Sequence, residues 1–300
     1  MRRFSDNMSK KGKTYRIVFT SGRDSLVISP ESECRLIAGG LAGFDIPELE
    51  LTTRPLACGN GGYIQRKRFA ERELSVTFDI FAEDERAEEL RRFIIRMMDP
   101  NAGSGQTIYA ELFGVRREID VVPSGEARFV RDTLYDRMEV TLEFTAPEVF
   151  FRDAEAGVVQ FRDPVKLFAF PLTFIKDAGT VSGIMRTAES ASVYNPGDAP
   201  CGVVVTITAD GGAVSCPGIR LSDGEFIKCP VTLADGEWIT IDTRERHKNI
   251  IKNGERYFAF DRKSSFFSLP CGRSAVQVTC DSGGEYISAT MRYVPLYFGC

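Results

Sequence analysis

The chain has one tryptophan and one histidine among its 300 residues, and each scarcity removes a class of function. A single imidazole cannot build the histidine clusters of zinc or iron sites. His247 stands in the hydrophilic run Arg244-Glu245-Arg246-His247-Lys248, where it reads as an exposed loop residue rather than a general base. No Gly-x-Ser-x-Gly elbow, Walker loop, His-Glu-x-x-His or dinucleotide fingerprint occurs, so catalytic, cofactor-binding and metal-ligating residues are all expected to be absent. Eight cysteines are present, but no two form a Cys-x-x-Cys pair, which removes zinc-ribbon and thioredoxin patterns. They read as small apolar residues in strands, while pairing among Cys201, Cys216, Cys229, Cys271 and Cys280 stays open. No apolar run approaches the ~18 residues of a membrane-spanning helix, and no membrane insertion is expected. Net charge is −4 and the pI near 5.4, without the basic excess of a nucleic-acid binder. Residues 1–13 are polar and basic, with no apolar stretch behind them. They read as a frayed arm rather than a secretory signal, and synthesis in the cytosol is expected.

Helical periodicity is also scarce. Only Glu83 to Met98 shows it, with Ala87, Leu90, Phe93, Ile94 and Met97 on one face. Acids crowd its first turns and arginines follow, as the helix dipole favours, and Asp99-Pro100 ends it. Acids on such a face are most often simply solvated, although a paired-carboxylate site is conceivable. What remains is strand pattern. Tyr15–Phe19 and Leu74–Phe81 alternate, and Thr107–Phe113, Val115–Val122, Ala127–Val130 and Met138–Phe144 follow with turn residues between them. Gly39–Gly43 has no Lys-Ser/Thr pair after it and reads as a bend or a close backbone approach rather than a phosphate loop. The first half is thus β-sandwich-like with one helix, an α+β plan.

The second half reads as strands alone. Val203–Thr208, Gly218–Leu221, Phe226–Cys229, Trp238–Ile241, Asn249–Lys252, Tyr257–Asp261, Ala275–Cys280 and Tyr286–Tyr293 are separated by turn signals, the signature of a β-sandwich. Asn253-Gly254 between two apolar runs predicts a tight type I′ hairpin, because both residues tolerate positive φ. Small, polar residues 153–157 mark a boundary. The division expected is 1–152, a linker at 153–165 and a domain over 166–300, with the apolar Val165–Phe174 docking the two.

Several motifs carry a resemblance. Tyr194-Asn195-Pro196-Gly197-Asp198-Ala199-Pro200, Ile241-Asp242-Thr243, Asn253-Gly254 and the stretch Ser264 to Gly272 with its Pro-x-Gly turn follow one another as in phage distal tail proteins. The glycine-rich Gly39–Gly43, the acidic helix and Ala146-Pro147-Glu148-Val149-Phe150-Phe151 fit more loosely. The resemblance implies an N-terminal ring domain and a C-terminal galectin-like or galactose-binding-like sandwich. It implies a structural protein of the virion, assembled in the host cytoplasm, whose homo-hexameric ring joins the tail tube to the tip or baseplate. Partners would be the tail tube, tape measure, tail-tip and receptor-binding proteins, with DNA passing through the ring unbound.

Two surface readings follow. Residues 52–69 read as a long hairpin or loop projecting from the domain, and from Arg54 to Arg72 five basic residues (Arg54, Arg66, Lys67, Arg68 and Arg72) stand against one acid, a solvated surface or a subunit contact. The helix start offers Glu83, Asp84, Glu85, Glu88 and Glu89, and opposite charge suggests contact between neighbouring copies. The other reading is a carbohydrate-binding adhesin module. Trp238 shares a strand face with Thr240 and Asp242, opposite Ile239 and Ile241, and could stack on a sugar, with Tyr257, Tyr286 and Tyr293 also available as aromatic platforms. Packing of Trp238 under a loop is favoured over a sugar site, because one ring without converging polar groups binds poorly.

Overall fold

A computed structural model describes residues 15–101, 105–132, 137–166, 183–187 and 190–300, with backbone alone for 132, 162–166 and 183–187. Residues 1–13, expected as an arm, and 167–174 of the expected docking segment lie outside the described residues. The chain divides into two compact units, one running to Ala154 and including Tyr297–Cys300, the other Glu155–Leu296.

The first unit contains β1 (Arg16–Ser21), β2 (Asp24–Ile28), β3 (Cys34–Ala42), β4 (Leu49–Pro55), β5 (Gly62–Phe69) and β6 (Arg72–Phe81). Helix α1 (Asp84–Met97) comes next, then β7 (Gln106–Leu112), β8 (Val115–Pro123), β9 (Arg128–Asp132), β10 (Arg137–Ala146) and β11 (Phe151–Asp153). The order β8-β7-β1-β2-β3-β6-β10 closes on itself through Phe144↔Pro123 and Thr145↔Val122, so the sandwich-like sheet forms a barrel. Period-two alternation sets its interior: Leu74, Val76, Phe78 and Ile80 of β6 point inward with Ile17, Phe19, Ile108, Val140 and Leu142. Leu90, Ile94 and Met97 of α1 join the same core. Gly39–Gly43 lies where the β3–β6 register shifts between Leu36 and Leu41. Gly43 (φ +79°) lies so close to the Glu73 carbonyl that a side chain there would collide with it.

The second unit begins with β12 (Gly157–Gln160), which pairs with a strand far along the chain, so part of the expected linker is sheet. Then come β13 (Arg162–Lys166), β14 (Gly183–Thr187), β15 (Ser190–Asn195), β16 (Val203–Ala209), β17 (Val214–Ser215), β18 (Gly218–Leu221), β19 (Phe226–Lys228) and β20 (Thr232–Leu233). β21 (Trp238–Asp242), β22 (Asn249–Lys252), β23 (Glu255–Arg256), β24 (Gly272–Thr279), β25 (Ile287–Tyr293) and β26 (Leu296–Tyr297) complete the chain. A six-stranded sheet, β12-β25-β16-β21-β22-β23, and a four-stranded one, β15-β24-β18-β19, supply the core residues Val205, Ile207, Ile239, Ile241, Ile219, Ile227 and Val276.

Asn253 (φ +49°) and Gly254 (φ +90°) form the tight turn between β22 and β23. The strand expected over Tyr257–Asp261 does not form. After Tyr257 the chain leaves β22 and crosses to the other sheet, where Asp261 N–H donates to the Lys228 carbonyl at 2.9 Å. Asn195 of the turn motif is buried; its amide donates to the Leu269 carbonyl at 3.2 Å and its Oδ1 accepts from Gly197 N–H at 3.0 Å.

Candidate functional site

β4 and β5 pair only with each other, every residue of β4 is exposed, and β5 is exposed up to Phe69. Their register sorts the side chains into two faces. Leu49 opposite Phe69, Leu51 opposite Lys67 and Thr53 opposite Ile64 share one face, with Gln65 taken up by a bulge. Glu50 opposite Arg68, Thr52 opposite Arg66 and Arg54 opposite Tyr63 share the other. The hairpin is therefore amphipathic, with Leu49, Leu51 and Ile64 each about half exposed on its apolar face. Its root is fixed by an aromatic trio: Phe69 lies 5.7 Å from Phe150 and 5.3 Å from Phe298. Two strands alone in water are marginal, and roughly 1 kcal/mol per half-exposed Leu or Ile is left unrealised until something covers that face.

Among the residues expected at subunit contacts, Arg66 and Lys67 are exposed and have no ion partner among the described residues. Arg68 already pairs with Glu50 at 2.5 Å, and Arg54 donates to Gln65 at 2.7 Å. Arg72, expected on this surface, is instead buried inside the first unit. It is 2% exposed, donating to the carbonyls of Gly43 at 2.5 Å, Asp45 at 2.8 Å and Val149 at 2.7 Å, and to that of Phe298. Its guanidinium also covers the Phe151 ring at 4.8 Å. Burial pulls its pKa down to about 10, so it stays charged at neutral pH. The alternation of β6 carries the signal: Arg72 shares the inward register of Leu74, Val76, Phe78 and Ile80.

The acids of α1 are mostly engaged at home. Glu88 pairs with Arg92 at 2.9 Å and Arg91 at 3.6 Å, Glu89 pairs with Arg86 at 3.0 Å, and Asp84 meets Arg131. Glu83 and Glu85 are exposed near the helix start. Beside α1 lies an open groove of about 930 Å³ with an apolar floor of Leu26, Val27, Leu90, Phe93 and Ile95. Arg86, held between Glu33 and Glu89, sits on its rim. Among the described residues, no serine or cysteine side chain lining the groove is hydrogen-bonded to a carboxylate, and the Ser32 hydroxyl bonds backbone groups alone.

Trp238 stands on the outer face of its sheet, opposite Thr208, and is half-buried. Its backbone N–H donates to Asn253 Oδ1 at 2.9 Å, and it lines neither of the two cavities described, both in the first unit. His247 is exposed on the turn between β21 and β22. Among the described residues no three His, Cys, Asp or Glu side chains cluster as a metal site would require. No helix among them is long and apolar enough to cross a membrane. All eight cysteines are free, and burial pushes the Cys34, Cys201 and Cys229 thiols up to about 12.

Comparison with known proteins agrees with the resemblance read from the sequence. Residues 196–297 match the family described as siphovirus-type tail component, C-terminal domain. No curated protein matches. Among solved structures, the chain is similar to SPP1 Dit (gp 19.1), described as a paradigm of the hub adsorption apparatus in phages infecting Gram-positive bacteria. That alignment has a TM-score of 0.66 at 14% identity and covers 95% of this chain and 99% of that one. A chain of the phage P2 baseplate, in its activated conformation with calcium, aligns at 11% identity over 95% of this chain and 98% of that one, with a TM-score of 0.46.

Proposed function

We propose that this chain, whose residues 196–297 match a siphovirus-type tail component domain, is a distal tail protein: a hexameric hub that joins the tail tube to the tip or baseplate. The observation that carries the ring is the β4–β5 hairpin, an amphipathic arm rooted in an aromatic trio, with Leu49, Leu51 and Ile64 of its apolar face left half exposed by the described residues. Such an arm is stable when it lies on a neighbour. Laid on the next copy, it makes a head-to-tail contact, and head-to-tail contacts close into rings. Likeness of fold to SPP1 Dit supports the hub reading, and six copies match the six-fold tube that the resemblance implies.

In this reading the protein does no chemistry. The first unit builds the ring and continues the tube, and the second carries neighbouring tip proteins. Each copy brings a net charge of −4, so a ring wall facing the DNA path is neutral to acidic and lets phosphates slide past. Arg66 and Lys67 then face subunit interfaces. Light scattering tests the ring. Six copies of 33.4 kDa are expected to give a species of about 200 kDa, whereas a monomer at every concentration and salt, with tube and tip proteins present, overturns it.

A further inference from the structure

The segment Tyr257–Ser265 straps the edge of the sandwich and is pinned at both ends. Tyr257 N–H donates to the Ile250 carbonyl at 2.8 Å, and Ser265 N–H donates to the Phe226 carbonyl at 2.9 Å. Between them Tyr257 Oη donates to the Pro230 carbonyl at 3.2 Å, and Phe260 meets Phe266 edge-to-face at 5.8 Å. From this fixed strap Phe258 projects with 82% of its surface in water, beside Phe260 at 41%. Phe258 and Phe260, two residues apart, put two exposed rings on one pinned strap; an exposed apolar patch rimmed by polar groups marks an interaction surface, whereas a ring exposed singly does not.

Its surroundings are basic. Over residues 244–263 basic side chains outnumber acidic ones more than two to one, while in the rest of residues 155–296 acids are in excess. Lys248, Arg256, Arg262 and Lys263 are all exposed, and their side chains have no ion-pair partner among the described residues. The register of β22 with β23 puts Ile251 opposite Arg256, and Tyr257 N–H still bonds the Ile250 carbonyl, so the strap leaves β22 close to the end that Lys248 precedes. Segregated charge of this kind steers an oppositely charged partner, and a rigid aromatic ringed by polar groups is the anatomy of an interface hot spot.

We propose that this strap, centred on Phe258 and rimmed by Lys248, Arg256, Arg262 and Lys263, is the docking surface for another protein of the tail tip, one presenting acidic residues around an apolar socket. A protein rather than a saccharide fits because the patch projects, whereas small-ligand sites are concave and the described cavities lie elsewhere. The assignment rests on the tail-hub reading.

The test uses whole particles, with full-length variants supplied in place of the resident protein. Purified tails are compared for protein composition by mass spectrometry and for adsorption to host cells. Phe258→Asp combined with Arg262→Glu is expected to leave the variant in the tail and to lower one acidic tip component at least tenfold relative to it. Lys248→Glu with Lys263→Glu, which touches no packed side chain, reports the same loss if the first pair disturbs the fold, as read from the melting temperature. Complete particles that adsorb normally overturn the inference. Complete particles that no longer adsorb also overturn it and assign the strap to an anionic cell-wall polymer. A wild-type chain absent from tails removes the hub reading, and this inference with it.

Discussion

At Phe113 the backbone sits at φ +54° and the ring is 93% exposed. With Gly114 at +83° and Leu112 opposite Val115, these two residues form a type I′ turn closing β7 and β8. The left-handed region costs a residue with a side chain about 1–2 kcal/mol, and Asn lowers that cost by bonding its own backbone. Phe113→Asn is therefore expected to raise stability by about 1 kcal/mol, read as a higher melting temperature. Asn253 shows the favourable version, its Oδ1 accepting from Trp238 N–H and its amide reaching Glu237 at 2.8 Å. Arg72 is the opposite case. Arg72→Leu strips four carbonyls of their donor, and an unsatisfied buried group costs about 1–3 kcal/mol. A loss of about 3 kcal/mol or more in chemical denaturation is expected, and a loss under 1 kcal/mol would mean that water replaces the guanidinium. The thiols divide by burial. Cys34, Cys201 and Cys229, pushed up to about 12, stay protonated and unreactive at pH 8, while Cys58 and Cys271 are exposed. Iodoacetamide under native conditions should label Cys58 and Cys271 first, and equal labelling of all eight would contradict the burial.

Among the elements, the β4–β5 hairpin has two candidate forces, and their magnitudes rank them. Exposed ion pairs contribute about 0–1 kcal/mol and are screened by salt, and most acids of α1 already hold an arginine of their own chain. Burying Leu49, Leu51 and Ile64 offers more. Leu51→Asp with Ile64→Asp should abolish the proposed ring while leaving the melting of the isolated subunit unchanged, since both positions are exposed there. Reversal of Arg66, Lys67 and Arg68 should instead shift the salt dependence of assembly. If charge reversal dissolves the ring and the apolar pair does not, the ranking is wrong. This hairpin also marks what sequence could and could not give. A projecting hairpin or loop was legible around the basic run Arg54 to Arg72, and Asn253-Gly254 announced its own turn. The amphipathic faces were hidden, because the bulge at Gln65 resets the alternation of β5. Closure of the barrel was hidden too, since it rests on pairing Phe144 with Pro123 and Thr145 with Val122, and periodicity does not say which distant strand a residue meets. Tyr257–Asp261 alternated like a strand but found its hydrogen bonds on two different sheets.

The whole molecule has two cores with no buried member in common, one around Phe78 and Phe144, the other around Val205 and Ile241. Each unit is long enough to bury a core of its own. Two calorimetric transitions are therefore expected rather than one. Residues 155–296 produced alone should fold and melt near the temperature of one of them. The first unit is not so easily cut out, because it includes Tyr297–Cys300. Phe298 completes the aromatic trio and accepts from Arg72, Arg117 stacks over Tyr297, and Cys300 N–H donates to the Phe44 carbonyl at 2.8 Å. A chain ending at residue 296 loses all of these at once. Only one of the two transitions should then move, downward by an amount matching several kcal/mol, since the buried Arg72 loses a partner and Phe69 and Phe150 lose a packed ring. That transition should also be the one that Arg72→Leu shifts. A single transition, or a truncation that lowers both equally, would mean that the units melt as one cooperative body.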